Sequence, residues 1–220
     1  MTGCKTTRQV SQNEKDQSGF LGDYSMLQKG TSKEANYVYI DKTADWAKYT
    51  KIWLKPVELW RSDDPSTTMG KLSKENQELL VTYCYTALKD YLEKEYQMVE
   101  QAGPDVLVIH VAITEARKSK PVIDLVSSVY MPLKVISFGK RLVTGTDIGV
   151  GDVQAEADFT DGQTGKRVAA AMDERAGSKA VRSKFSGTWG DVKLSFDWWA
   201  QRLVLRLALL KQGDFGDEKL

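Results

Sequence analysis

The clearest periodic signal in the chain is helical. Between Ser73 and Tyr96, the residues Leu80, Cys84, Ala87, Leu88, Tyr91 and Leu92 recur at spacings of three and four, which gathers them on one face of an α-helix. Lys74, Gln77, Lys89, Glu93 and Glu95 fill the opposite side. Ser73 suits the N-cap, Leu72 before it a staple, and Glu75 the positive end of the helix dipole. A second helix is predicted from Ser186 or Thr188 as cap to about Lys211, with Val192, Phe196, Trp199, Leu203, Leu207 and Leu210 as its core stripe. Trp198, Leu205 and Leu209 fall off that stripe, so this helix is apolar around more of its circumference than a surface helix needs. Either residues 18–49 cover it, which is the favoured arrangement, or it offers an apolar patch to a partner.

Other stretches carry the two-residue period of strands. Lys51 to Trp60 is rich in β-branched and aromatic residues, with Pro56 marking an edge or a bulge because it lacks a backbone donor. In Val106 to Glu115, VLVIHVAITE, nearly both faces are apolar, which predicts a central strand. From Gly151 to Phe159 small or apolar residues alternate with polar ones, Asp161-Gly162 and Thr164-Gly165 make a turn, and Lys166 to Glu174 returns as the second arm of a hairpin. The outward acids Asp152, Glu156 and Asp158 read as a solvated face partly paired with Lys166 or Arg167, in preference to a cation site. Residues 116–134 fit either a short helix or a loop with a strand. Residues 18–49 read as irregular, with one helical turn from Ala44 to Tyr49. The expected fold is α+β, a two-layer α/β sandwich whose mixed or mostly antiparallel sheet carries two long helices on one face. A single domain is expected over residues 18–220.

Charge and composition narrow the functional classes. The 31 basic and 30 acidic side chains of the 220 residues leave a formal net charge of +1, without the excess that a basic nucleic-acid-binding face draws on. At 41 % hydrophobic and 28 % charged residues the chain has the composition of an ordinary globule, for which folding buries roughly 70 % of the extended surface. His110 is the single histidine, so HExxH zinc sites and sites with two or three histidines cannot be built. Two cysteines, Cys4 and Cys84, are too few for a zinc ribbon or an iron–sulfur cluster. Neither a Walker A loop, a GxGxxG fingerprint nor a GxSxG elbow occurs. No catalytic set, metal or cofactor is therefore expected. His110 reads as a hydrogen-bonded structural histidine, with general base or ligand as the competing role. Cys84 reads as an inert core thiol.

Cys4 differs, because Thr2-Gly3-Cys4 resembles the end of a bacterial lipoprotein signal peptide, where a small residue precedes the cysteine that receives diacylglycerol and a palmitate-like acyl chain. Met1 stands where the signal's leucine would be, so the sequence is expected to start late, after most of the export signal. The following KTTRQVSQNEKDQS lacks the apolar residues to offset its ordering entropy. It is expected to be a tether, so that residues 1–17 form anchor plus leash, spanning about 20 Å as a coil. No run of 18 apolar residues spans a membrane. Lys5 in place of Asp after the cysteine favours, by the same resemblance, the outer membrane.

Larger motifs carry a second resemblance. Ser18-Gly19-Phe20-Leu21-Gly22-Asp23-Tyr24, Ala44-Asp45-Trp46-Ala47-Lys48-Tyr49 leading into Pro56-Val57-Glu58-Leu59-Trp60, and Gly103-Pro104 before Val111-Ala112-Ile113-Thr114 are similar to a family of bacterial lipoproteins, domain of unknown function 3313. The hairpin at Asp161 and Thr164-Gly165 and the helix through Phe196, Trp199-Ala200 and Leu203 fit the same pattern. The element order is also topologically similar to the amino-terminal domain of TolB and to CsgG-type lipoproteins. The family resemblance implies lipid on Cys4 and supplies no catalytic residues, and with Lys5 the expected place is the periplasmic face of the outer membrane. The expected function is a non-enzymatic binding or envelope-assembly module that meets an envelope protein or further copies of itself. Trp60, Asp63 and Asp64, together with Trp198, Leu205 and Leu209, are the candidate contacts. The rival is a hydrolase of an envelope or cell-wall component that works through acidic residues.

Overall fold

In a computed structural model of the chain, the structure describes residues 7–12, 16–31, 33–117, 151–177 and 189–216. Cys4 and nearly all of the ambiguous stretch 116–134 lie outside them. Helix α1 runs Lys74–Leu92, and the Ser73 hydroxyl accepts from the Asn76 amide at 3.4 Å. Leu80, Cys84, Ala87, Leu88 and Leu92 are buried, which is the periodic stripe of the sequence. Helix α2 runs Gly190–Lys211 after Trp189, which makes no side-chain cap bond. The expected caps Ser186 and Thr188 lie outside the described residues. Instead the Trp189 indole donates to Asn76 Oδ1 at 3.0 Å, which ties the start of α2 to the first turn of α1.

The strands among the described residues are β1 Thr7–Gln9, β2 Gln28–Lys29, β3 Tyr37–Ile40, β4 Lys51–Leu54, β5 Glu58–Leu59, β6 Gln97–Met98, β7 Val106–Arg117, β8 Asp152–Asp161 and β9 Arg167–Gly177. They form one mixed sheet in the order β2-β3-β9-β8-β7-β4-β6, with β1 also on β9 and β5 also on β7. Pro56 interrupts one run into β4 and β5, both parallel to β7; with no N–H to give, it sits where the ladder pauses. The hairpin turn closes at Gly165, φ 70°, a conformation that glycine adopts without steric cost. The fold is α+β, with both helices on one face of the sheet.

Strand register sorts side chains between the two faces. Leu107, Ile109, Val111 and Ile113 of β7 stand beside Asp161, Phe159, Ala157 and Ala155 of β8, and apart from Asp161 this row meets the helices. Gly177 lets α2 approach β9 closely: a Cβ there would come within 2.2 Å of the Asp191 carboxyl. The other face, which we call the wrapped face, carries His110, Asp152, Gln154, Glu156 and Asp158.

Four expectations are corrected. Glu156 has no exposed surface and Asp152 only 5 %, so these acids are not solvated. Residues 16–24 lie over them: Ser18 N and the Tyr24 hydroxyl donate to the two oxygens of Glu156 at 3.0 and 2.6 Å, and Gln154 donates to the Asp16 carbonyl at 2.7 Å. Asp158 does pair with Arg167, at 2.7 Å. The N-terminal segment thus covers the polar face of the sheet and leaves Leu205 and Leu209 of α2 exposed, because a buried carboxylate requires donors and the helix does not. Next, Tyr37–Ile40, read as irregular, is strand β3 on Ala169–Met172. Finally, Thr7–Gln9 within the supposed tether pairs with Gly177–Arg175.

Replacing Glu156 by Ala leaves the Ser18 amide and Tyr24 hydroxyl without their acceptor. We expect a loss of about 2–3 kcal/mol in urea unfolding, the usual scale for hydrogen bonds to a charged group, with faster proteolysis within residues 16–24. An unchanged midpoint would count against the wrap as a structural element.

Candidate functional site

A concavity among the described residues lies between α2 and the sheet. Its floor is Ala155 and Ala157 of β8, Ala169 and Ala171 of β9, and Val38 and Ile40 of β3; its roof is Phe196, Trp199, Leu203, Leu207 and Leu210. The cause is side-chain size. Every second residue of β8 and β9 faces α2, and at four of these positions, where most strands would place Val or Ile, stand Ala155, Ala157, Ala169 and Ala171, so sheet and helix are held apart by the larger residues around them. The space amounts to about 200 Å³.

The slot's roof residues run from Phe196 to Leu210, fourteen steps of α2, about 21 Å along the helix axis at 1.5 Å per residue. Cys84 and Trp46 also line it, and burial pushes the Cys84 thiol up to about 12, leaving it a neutral apolar group. Lys33, Glu34, Trp198, Arg202 and Arg206 line it as well, and the exposure of Lys33 and Arg202 marks the mouth.

The mouth is charged and mostly positive. Asp173 accepts from the Trp199 indole at 2.7 Å, Gln9 at 3.1 Å and the Asn36 amide at 3.0 Å, yet burial still raises its carboxyl above the usual range. Arg175 stacks on the Trp198 ring at 3.5 Å, and Arg202 lies 5.3 Å from the centre of the same ring. Arg206 donates to the Phe215 carbonyl at 2.7 Å and lies 3.6 Å from Glu34.

Other ionisable groups sit elsewhere. On the wrapped face, His110 Nε2 is 3.0 Å from Glu58 Oε1, and Phe20 meets the imidazole edge-on at 4.9 Å; this is a hydrogen-bonded, ring-covered histidine. Near the sheet's end burial pushes Asp152 up to about 6 against the pull of Arg117, and burial together with Asp152 pushes Glu174 up to about 7. Beside the hairpin turn, Lys166 lies 2.7 Å from Asp41 and, with Thr43, holds its carboxyl down to about 2. Asp161, which burial alone would raise, is held low by Lys48, Thr164 and Tyr49. No group of three His, Cys, Asp or Glu side chains among the described residues is placed to hold a metal ion.

The residues singled out from the sequence fall into separate places. Trp60 donates to the Ser18 carbonyl at 3.0 Å and packs on Phe20, so it helps to hold the wrap. Asp64 organises its own loop through Arg61 and Ser66, and Asp63 is exposed. Trp198 borders the slot's mouth, whereas Leu205 and Leu209 lie farther along the outer side of α2. The alanines of the floor went unremarked in the sequence; their signal was the run Ala169-Ala170-Ala171 in a strand, where alanine is a poor former.

Fold and site together define a small α+β domain with an apolar slot beneath its last helix. The chain belongs to the family described as "Protein of unknown function (DUF3313)", whose profile matches residues 16–203. No curated protein matches it. Among solved structures it is similar to a PelC dodecamer from Paraburkholderia phytofirmans, with 13 % identity and a TM-score of 0.40 over 75 % of this chain and 92 % of that one. It is also similar to a minor lipoprotein from Acinetobacter baumannii, with 12 % identity and a TM-score of 0.34 over 74 % and 94 %. A third is a neuraminyllactose-binding hemagglutinin homolog from Helicobacter pylori, with 11 % identity and a TM-score of 0.30 over 74 % and 83 %.

The shifted carboxyls set a pH dependence. In the window from about pH 4 to 7 the folded protein holds protons on Asp152 and Glu174 that the unfolded chain has released, so stability falls as pH rises. Asp41 acts oppositely: its contribution is complete above about pH 4 and is lost as pH falls toward 2. Thermal unfolding across this range is expected to show greatest stability near pH 4–5, and Glu174→Gln to flatten the decline toward neutrality. A melting temperature that climbs steadily from pH 4 to 7 would contradict the assignment.

Proposed function

We propose that this protein is a lipid-anchored envelope protein, held at the periplasmic face of the outer membrane through acylated Cys4, and that it works as a binding module without catalysis. The observation that carries the binding role is the alanine-floored slot, a concave apolar site with a few polar groups at its rim, which is the usual form of a small-molecule site. The anchor is supported by Thr2-Gly3-Cys4 and by the resemblance to lipoproteins of this family. The near-neutral charge fits attachment by lipid, since adhesion through a basic patch needs an excess of Lys and Arg. Trp198 with Leu205 and Leu209, of which the leucines are 50 % and 39 % exposed, offers a surface for an envelope protein or a second copy. Trp60, Asp63 and Asp64 offer another.

One observation favours the hydrolase reading, the raised carboxyls of Asp152 and Glu174. Both stand on the wrapped face, across the sheet from the slot, so the paired acids and the concave site do not coincide.

Mass spectrometry of the protein from its native membrane fraction should find Cys4 carrying diacylglycerol and an acyl chain, and Cys4→Ser should abolish membrane retention. An unmodified Cys4 would remove the anchor. For the slot, decan-1-ol should perturb tryptophan fluorescence saturably. Ala171→Leu should prevent this while raising stability by about 1 kcal/mol, as cavity filling does. If decanol fails to saturate, the binding role falls.

A further inference from the structure

We infer that the ligand of the slot is a single straight alkyl chain with an anionic head, its tail laid along α2 and its head held between Arg202 and Lys33. The inference rests on the slot being a binding site, and it adds the chemistry of what binds. Volume and lining argue for the tail. A volume of about 200 Å³ is roughly a third larger than the engineered apolar cavity that takes up benzene, space for about eight carbons. Its walls, Ala155 and Ala171 below and Leu203 and Leu207 above, are apolar, which suits an alkyl chain.

Charge argues for the head. Arg202 and Lys33 are exposed at the mouth, and neither forms an ion pair among the described residues. Arg202 instead lies against Trp198, whose other neighbour is Arg175, so two guanidinium groups flank one indole. Asp173 lies 3.6 Å from Arg175 and offsets that guanidinium, but among the described residues no acid pairs with Arg202 or Lys33. Glu34 faces Arg206, and Asp173 is occupied by three donors from protein groups. Two of the mouth's cations are thus left for an outside anion. A guanidinium resting on an aromatic face is oriented without spending its hydrogen-bond donors, which leaves them free for a carboxylate or phosphate.

The test compares three probes of equal tail length below their aggregation limits, with Trp198 and Trp199 as fluorescent reporters: decanoate, decan-1-ol and decyltrimethylammonium. Decanoate is expected to bind at least tenfold more tightly than decanol, with the ammonium probe weakest and with decanoate alone weakened by added salt. The double variant Arg202→Glu, Lys33→Glu, at exposed positions, should cost decanoate tenfold or more and leave decanol within twofold. Ala171→Leu should remove both. Equal affinity for decanoate and decanol, or charge reversal without effect, overturns the anionic head and leaves the slot as a binding site. Failure of all three probes overturns both readings. Decyl phosphate in place of decanoate shows whether the mouth prefers a phosphate or a carboxylate head.

Discussion

Glu156 has no exposed surface, and it stands on β8, a strand with neighbours on both sides. A carboxylate in that position cannot be solvated, so its two oxygens must take donors from elsewhere in the chain. They take the Ser18 amide and the Tyr24 hydroxyl, and the segment carrying these is thereby drawn across the sheet. Once it lies there, Ser18 accepts from Trp60, Phe20 covers His110, and Arg167 reaches the carbonyls of Leu21 and Asp23. One buried charge therefore explains why the wrap lies on the sheet's polar face and why Phe20 comes to rest against the single histidine.

The opposite face follows from the same alternation with other residue types. Where β8 turns Glu156 to the wrap, it turns Ala155 and Ala157 to α2, and β9 answers with Ala169 and Ala171. The sheet is rigid there because β8 is hydrogen-bonded on both edges, so it does not collapse onto the helix to fill the gap. Phe196 and Trp199 at one end of the roof and Leu207 and Leu210 at the other hold α2 at its height. The slot is thus a consequence of small residues on a stiff floor beneath large residues on a stiff roof, and substitution on either side alters its volume directly.

What could be read from the sequence was whatever repeats. The stripe from Leu80 to Leu92, the alternation of β8 and the doubly apolar run of β7 each span several periods, and each took the form they predict. The failures have physical causes. A polar row that faces water and one that lies beneath a hydrogen-bonded strap have the same period, so Glu156 and Asp152 looked solvated. β3 has four residues and β1 three, too short for periodicity to separate from irregular chain, and both are strands because β9 offers them an edge. The slot escaped because it is a volume between elements distant in sequence, although Ala169-Ala170-Ala171 left a trace of it.

The position of β1 alters the picture of a domain on a long leash. With Thr7 paired to Gly177, only three Cα steps separate Cys4 from the sheet, a reach of at most about 11 Å, against about 20 Å for a free tether of fourteen residues. β1 also borders the slot's mouth: Gln9 donates to the Glu34 carbonyl and to Asp173, and Arg175, which takes Thr7 Oγ1 as acceptor, stacks on Trp198. An acyl anchor on Cys4 would therefore hold the cationic mouth close to the membrane surface, the phase in which single-chain anionic amphiphiles partition. With Cys4 acylated, the short connection through β1 would set the mouth beside such amphiphiles, and anchor and slot would act together.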